Sequence, residues 1–202
     1  MIKLYDAPIS GNVHKVRLLL GLLGQSYEKV AVDMQQGAHK AADYLKLNPK
    51  GQVPTLTDGD VVIYDSQAIL VYLARKYGGE DWLPTDAVGM AHVMQWLSTA
   101  ANEVANGLAV PRAIVKFGRK GDLATAQKLG HHILKIFDDR LADREWLESD
   151  RPTVADIACY PYVGLAPEGE IPLTDYDHVR AWLGRIEALP GYVAMPGLPA
   201  TG

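Results

Sequence analysis

Strand patterns are confined to the first third of this chain, and this asymmetry restricts the possible folds more than any other feature. Residues 2–5 (IKLY) and 27–33 (YEKVAVD) have the composition of strands. Between them, apolar residues recur at helical spacing from Val13 to Leu23. A strand–helix–strand order predicts two parallel strands joined by a right-handed crossover.

A hairpin pattern follows after a polar segment with weak helical character. Residues 55–57 and 61–63 flank Asp58-Gly59, a pair typical of tight turns between antiparallel strands. Another helix pattern opens at Asp65-Ser66. The order β-α-β-α-β-β-α over residues 2–77 predicts a mixed sheet with helices packed on it.

Only helical patterns occur after Gly78-Gly79 and Leu83-Pro84. They cover residues 86–107, 122–143, 154–164 and 176–188. Proline and glycine separate them, and residues 108–121, which contain Pro111, are expected to form a loop. We therefore predict a small α/β domain at residues 1–78 and an all-helical domain at residues 85–202.

The composition excludes several classes of protein. A hydrophobic content of 48% supports a packed core and excludes a disordered chain. The 20 Lys and Arg face 24 Asp and Glu without a basic cluster, which argues against nucleic acid as a partner. No signal-peptide or membrane-spanning run is found, and Cys159 is the only cysteine, so an internal disulfide and a CxxC metal site are excluded. We expect a soluble, cytoplasmic protein without a metal.

Pro54 stands where the first strand of the hairpin should run. It has no amide hydrogen and cannot donate to a sheet ladder. It could be a trans proline at the start of an edge strand. It could also follow a cis Val53–Pro54 bond, which costs only about 0.5–1 kcal/mol and would turn the main chain of Val53 toward a ligand. The stretch itself leaves both possibilities open.

Residues 47–78 (LNPKGQVPTLTDGDVVIYDSQAILVYLARKYG) resemble the glutathione-binding domain of cytosolic glutathione S-transferases. They match the family patterns N-P-x-G-x-V-P-x-L and [ED]-S-x-A-I. Residues 151–163 (RPTVADIACYPYV) resemble a helix start in the family's second domain, with Thr153 and Asp156 as its capping pair. The resemblance implies a thioredoxin-like first domain with a mixed four-stranded sheet, a helical second domain, the cis bond, and glutathione as co-substrate without a metal.

The resemblance also implies how glutathione would be held. Asp65 would take the γ-glutamyl ammonium, while Ser66 and the helix amides would hold the neighbouring carboxylate. Val53, beside Pro54, would pair with the cysteinyl amide as an added strand does. For Asp65 and Ser66, the alternative is a plain helix cap.

Two further contacts follow from the same resemblance. Gln52 would bond a peptide group or the γ-glutamyl end. His39 and Lys40 match a His-Lys pair that reaches the glycyl carboxylate in phi-like members. The alternative for this pair is a solvated loop.

Catalysis in this family requires ionisation of the glutathione thiol. A cysteine-type thiol has a pKa of about 8.5, so only about 3% is thiolate at pH 7. Ser10, with Lys15 and Val16, matches the S-x-x-x-x-[RK]-V pattern of serine-type members, in which the hydroxyl donates to the thiolate. Asn12 precedes a His-Lys pair as in nu-like bacterial members and is a rival or a helper. The alternative role for both residues is capping the helix.

Other types of member fit less well. Asp6 occupies the place of the catalytic phenol of tyrosine-type members, and the turn carries no cysteine. The resemblance implies conjugation of glutathione to small hydrophobic electrophiles, in a pocket between the domains near Asn106, Arg112 and Phe117. The alternatives are glutathione-dependent reduction of disulfides or peroxides, and a non-catalytic binding or regulatory module. A homodimer is expected, as is common in the family.

Overall fold

The computed structural model describes residues 1–198, so residues 199–202 of the expected helical domain lie outside it. Its four-stranded sheet has the order β2-β1-β3-β4. β1 and β2 are parallel, whereas the β1–β3 and β3–β4 pairs are antiparallel. The predicted parallel pair, hairpin and mixed sheet are therefore confirmed. The strands are Ile2–Asp6 (β1), Tyr27–Ala31 (β2), Thr55–Asp58 (β3) and Val61–Tyr64 (β4).

Eight α-helices, joined by loops and short helical turns, complete the described part of the chain. Short 3₁₀ turns cover Ala38–Lys40 and Ala166–Gly169, and wide π turns cover Ala74–Gly78 and Ala105–Ala109. No helix within residues 1–198 combines the length and the apolar character needed to span a bilayer. The α-helices are Gly11–Leu22 (α1), Ala42–Leu47 (α2), Ser66–Leu73 (α3), Ala87–Ala101 (α4), Val110–Phe117 (α5), Leu123–Leu141 (α6), Val154–Gly164 (α7) and Asp177–Glu187 (α8).

Helix α1 lies at the centre of the molecule. It packs against α3 on one side and against α7 of the helical domain on another. Its apolar residues, from Val13 to Leu20, are fully buried together with Leu4 of β1 and Leu56 of β3. One continuous core therefore joins the sheet to the helical domain.

The start of α7 is fixed by the predicted capping pair, which is confirmed. Thr153 Oγ1 accepts from the Ala155 amide at 3.2 Å, and Asp156 Oδ2 accepts from the Thr153 amide at 2.9 Å. The other oxygen of this fully buried carboxylate accepts from the Leu147 amide at 3.0 Å and from Trp182 Nε1 at 2.9 Å. Asp156 thus ties together three segments of the helical domain.

One part of the helical prediction is wrong, and another is confirmed only in part. The expected loop at residues 108–121 contains helix α5, with Pro111 in its first turn, where the missing amide hydrogen has no helical partner to lose. The helix expected at residues 86–107 ends at Ala101 and is followed by the π turn Ala105–Ala109. This turn packs closely on α6, because a Cβ atom on Gly130 would lie 2.3 Å from the carbonyl oxygen of Gly107.

Candidate active site

Two cavities meet beside the turn from β1 into α1. The smaller has a volume of about 130 Å³ and is lined mainly by polar residues around the hairpin entry and the start of α3. The larger, of about 650 Å³, is bounded by the β1–α1 turn, α5 and α7. Asn12, Gln52 and Val53 line both cavities. A ligand in one cavity would therefore reach the other across these residues.

The chain between the two cavities makes a sharp turn. The Val53–Pro54 peptide bond is cis, as the resemblance implied, and β3 begins only at Thr55, so Val53 lies outside the ladder. The carbonyl of Gln52 accepts from Tyr44 Oη at 2.6 Å and from Asn48 Nδ2 at 2.8 Å. Both side chains also contact Thr55 Oγ1, at 2.9 and 3.2 Å. A polar network from the end of α2 thus holds the turn.

Asp65 and Ser66 stand at the start of α3 and line the smaller cavity. Asp65 Oδ1 caps the helix, accepting from the amides of Gln67 at 3.0 Å and Ala68 at 3.3 Å. Its backbone has a φ of 78°, which costs a non-glycine residue roughly 1–3 kcal/mol. The Ser66 hydroxyl donates to Gln67 Oε1 at 2.5 Å. The capping role is present, and the same residues face the cavity.

Ser10 and Asn12 have different positions at the start of α1. Ser10 is the N-cap, and its Oγ accepts from the Val13 amide at 3.3 Å. Asn12 lies in the first turn, with Oδ1 at 3.5 Å from Ser66 Oγ. No acidic residue occupies this first turn, so its amides offer a positive field to an anion. Ser10 lines only the larger cavity, whereas Asn12 lines both.

The His14-Lys15 pair of the nu-like pattern is buried beneath the site. His14 is fully buried, and neither ring nitrogen has a hydrogen-bond partner among residues 1–198. Burial lowers its pKa to about 3, with a further contribution from Arg17. Lys15 is 1% exposed, and burial lowers its pKa to about 8. Its Nζ lies 5.5 Å from the ring centre of Tyr162.

His39 and Lys40 lie beside the hairpin entry without lining either cavity. Lys40 Nζ donates to the carbonyl of Lys50 at 3.2 Å. Gly51 has a φ of 56°, and a Cβ atom there would lie 2.8 Å from the His39 carbonyl oxygen. This close approach requires glycine and places the His-Lys pair next to Gln52.

The larger cavity combines apolar walls with a buried cation. Ile9, Met34 and Phe117 are 39–49% exposed and supply apolar surface. Arg112, only 3% exposed, donates from Nε to Glu168 Oε2 at 2.5 Å and from Nη1 to the Ile9 carbonyl at 3.0 Å. The second of these bonds connects the helical domain to the turn that carries Ser10.

Asn106 is not brought to this cavity. Its amide donates to Asn102 Oδ1 at 2.9 Å, and it lines a separate cavity of about 110 Å³ together with His132. Of the three residues expected to contact an electrophile, the structure therefore brings Arg112 and Phe117 together, and leaves Asn106 elsewhere.

Tyr162 of α7 lines the larger cavity and was missed from the sequence. Its ring packs on Gly11, where a Cβ atom would lie 2.8 Å from ring carbons. Burial raises its pKa, and both the Arg112 charge and the Asn12 amide act in the opposite direction. An aromatic residue at helical spacing usually indicates core packing, so the sequence carried no signal for this position.

The sheet, the helical domain and the paired cavities define a two-domain protein with a thioredoxin-like first domain. Residues 1–75 match the model of the glutathione S-transferase N-terminal domain, and residues 90–190 match that of the C-terminal domain. Glutathione S-transferase 3 from Zea mays is 36% identical over 203 residues, covering 95% of this chain and 91% of that protein. The chain therefore belongs to the cytosolic glutathione S-transferase family and is an enzyme of that family.

Solved structures agree with this assignment. The crystal structure of a glutathione S-transferase from Pseudomonas fluorescens has a TM-score of 0.91 and 31% identity, covering 96% of this chain and 98% of that one. A glutathione transferase homologue from Drosophila mojavensis, solved with bound glutathione, has a TM-score of 0.85 and 28% identity, covering 94% of this chain and 88% of that one. Within the described residues, no three His, Cys, Asp or Glu side chains are grouped as metal ligands.

Proposed function

We propose that this protein conjugates the thiolate of glutathione to small hydrophobic electrophiles. The observation that carries the proposal is the wall shared by the two cavities, made of Asn12, Gln52 and Val53. A tripeptide bound in the polar cavity would direct its sulfur across this wall toward an electrophile in the larger one. Holding both reactants in contact removes much of the entropic barrier to their reaction.

The smaller cavity fits the γ-glutamyl end of glutathione. Its volume of about 130 Å³ is below the roughly 300 Å³ of a typical complete ligand pocket, so the rest of the tripeptide would lie along residues 52–53. The second carboxylate oxygen of Asp65 would take the ammonium group. Ser66 and the amides of α3 would hold the neighbouring carboxylate. The relative solved with bound glutathione supports this ligand.

The middle and the glycyl end of the tripeptide would be bound by other groups. The main chain of Val53, held by the cis bond to Pro54, would pair with the cysteinyl amide. Gln52 would bond a peptide group. His39 and Lys40 would reach the glycyl carboxylate from beside Gly51.

Ser10 would stabilise the thiolate as a hydrogen-bond donor. Its Oγ accepts from the Val13 amide, which leaves the hydroxyl hydrogen for the sulfur. The amides of the first turn of α1, which contains no acidic residue, would add a favourable field. Lowering the thiol pKa by two units requires about 2.7 kcal/mol of preference for the thiolate. A charge-assisted hydrogen bond together with these amides can provide that amount.

Glutathione-dependent reduction of disulfides or peroxides is the second candidate function. The observation in its favour is that Asn12, and not Ser10, lines both cavities and lies 3.5 Å from Ser66. If the sulfur lies against Asn12, the amide would be the main stabilising donor.

Retention on immobilised glutathione, with assays on an aromatic halide and on a mixed disulfide, separates these functions. For Ser10→Ala we expect a large loss of conjugation rate and little change in glutathione affinity. The exposed Ser98 of α4 provides the matched control, Ser98→Ala. Turnover unchanged in Ser10→Ala but lost in Asn12→Ala would transfer the role to Asn12. Binding without turnover of either substrate would contradict both proposed reactions for these substrates.

We also propose a cytoplasmic homodimer whose chains divide into residues 1–78 and 85–202. Val61, Val62 and Tyr64 expose apolar surface along the edge strand β4. Val88, Met90 and Met94 do the same on α4. Uncovered apolar surface of this kind favours association. Light scattering during gel filtration would detect a monomer if the proposal is wrong.

A further inference from the structure

The guanidinium of Arg112 is held on two sides and unpaired on the third. Nε donates to Glu168 Oε2 at 2.5 Å, and Nη1 donates to the carbonyl of Ile9 at 3.0 Å. Nη2 is buried, and among residues 1–198 it has no hydrogen-bond partner. A buried donor left unpaired is destabilising, and more so on a charged group. The larger cavity, which Arg112 lines, is where a missing acceptor would bind.

The charge around Arg112 is not fully balanced. Glu168 accepts from Arg112 and also from Lys116, so two cations share one carboxylate. Burial, which raises the pKa of Glu168, is outweighed by the hydrogen bonds from Lys116 and Arg112, and the pKa is lowered. Glu168 is therefore ionised at neutral pH. Of the residues that line the larger cavity, none is Asp or Glu. Arg112 is therefore the one charged side chain among the described residues that line this cavity.

The remaining walls restrict which anion can enter. Ile9 and Met34 offer apolar surface, and the Phe117 ring lies over the guanidinium with its centre 5.2 Å from Cζ. Phe117 is 49% exposed, so much of its surface faces solvent and not protein. An anion with a flat apolar body satisfies both the walls and the unpaired donor, whereas a small inorganic anion leaves the walls uncovered.

We propose that Nη2 of Arg112 binds a carboxylate on the electrophilic substrate, so the preferred substrates are aromatic or other apolar acids. This inference rests on the proposed conjugation. The thiolate attacks the carbon that bears the leaving group, for example chloride on a nitroaryl ring. The C–S bond forms and the C–Cl bond breaks, and chloride leaves with the bonding electrons. The carboxylate takes no part in this step and orients the ring in the cavity.

The test compares two electrophiles that share one chloronitroaryl ring and carry either a carboxylate or an uncharged carboxamide, 4-chloro-3-nitrobenzoate and 4-chloro-3-nitrobenzamide. Each catalysed rate is divided by the uncatalysed rate with glutathione, which removes the difference in intrinsic reactivity. For Arg112→Gln we expect KM for the benzoate to rise at least tenfold, while KM for the benzamide changes less than threefold. Arg112→Lys keeps a cation for Glu168 but has no Nη2, and serves if the glutamine variant does not fold. We expect it to lose most of the benzoate preference.

Lys116→Met is the matched control for charge. It removes a cation from the same cluster, but Lys116 does not line the cavity. We expect its KM for the benzoate to rise less than threefold. An equal rise in Lys116→Met and Arg112→Gln would indicate a diffuse field instead of a contact, and would overturn the inference.

Failure of the inference is distinguishable from failure of the proposed function. Wild-type enzyme that conjugates both compounds with the same efficiency, and loses both equally in Arg112→Gln, keeps the function and overturns the carboxylate site. If neither compound is conjugated, the proposed function fails for these substrates. The pair is then compared by thermal shift with glutathione present, and equal stabilisation by benzoate and benzamide would overturn the inference.

Discussion

His14 is expected to make this protein sensitive to mild acid. Its imidazole is fully buried in α1, and its two nitrogens lack partners among the described residues. Burial first, and Arg17 second, lower its pKa from 6.5 to about 3. The folded protein therefore keeps the ring neutral, whereas the unfolded chain takes up a proton below pH 6.5. Stability is lost as the pH falls from 6.5 toward 3.

The size of the effect follows from this difference in pKa. A pH of 5 is 1.5 units below the pKa of 6.5 that His14 has in the unfolded chain. Protonation of His14 in the unfolded chain therefore favours unfolding by about 2 kcal/mol at this pH. For a chain of 202 residues this corresponds to a fall in Tm of roughly 4–8 °C. Other groups add their own dependence on pH, so the prediction concerns the difference between wild type and a variant.

His14→Leu removes the titrating group and sacrifices no hydrogen bond. We expect its loss of stability between pH 7.5 and pH 5.0 to be smaller than that of wild type by about 2 kcal/mol. Urea unfolding at a series of pH values measures this difference. His178→Gln is the control, because it removes an exposed histidine. Parallel curves of unfolding free energy against pH for wild type and His14→Leu would refute the conclusion that the imidazole is buried and unpaired.

Three further predictions concern packing and ligand binding. Gly130→Ala should lower the free energy of unfolding by roughly 1–3 kcal/mol, because the added Cβ atom would lie 2.3 Å from the Gly107 carbonyl oxygen. An increase in the free energy of unfolding, from the higher helix propensity of alanine, would contradict this. Asp156→Ala should lower the free energy of unfolding by about 4 kcal/mol, measured with urea, since it leaves three buried donors unpaired. A loss below about 1 kcal/mol would contradict this hydrogen-bond network. Lys40→Met should weaken glutathione binding, measured by calorimetry, by less than about 1 kcal/mol, and the effect should be smaller at high salt. No effect at low salt would exclude a contact between Lys40 and the glycyl carboxylate.

Local patterns were sufficient to predict much of the fold. Asp58-Gly59 indicated the hairpin, and apolar residues at helical spacing indicated α1 between two parallel strands. Thr153 and Asp156 are three residues apart, which is the spacing that a capping box requires. The cis bond before Pro54 was different, because the stretch itself allowed both isomers, and only the family resemblance favoured one.

The errors in the predicted helices and pocket residues come from features that the regular α-helical period does not describe. A proline usually ends a helix. Pro111, however, lies in the first turn of α5, where its missing amide hydrogen costs nothing. The π turn Ala105–Ala109 departs from 3.6 residues per turn, so the direction in which Asn106 points could not be extrapolated from α4. Arg112 was identified as a pocket residue, but its bonds to Ile9 and Glu168 span 103 and 56 positions and left no local pattern.

The wall common to both cavities also determines what would inhibit the proposed reaction best. A single molecule that joins the tripeptide to an apolar tail, such as an S-alkyl glutathione, would occupy both volumes at once. Each methylene group buried in the larger cavity should add about 0.8 kcal/mol, or roughly a fourfold gain in affinity. The gain should stop when the tail reaches the Arg112 end. The dependence of Kd on tail length would thus measure the depth of this cavity.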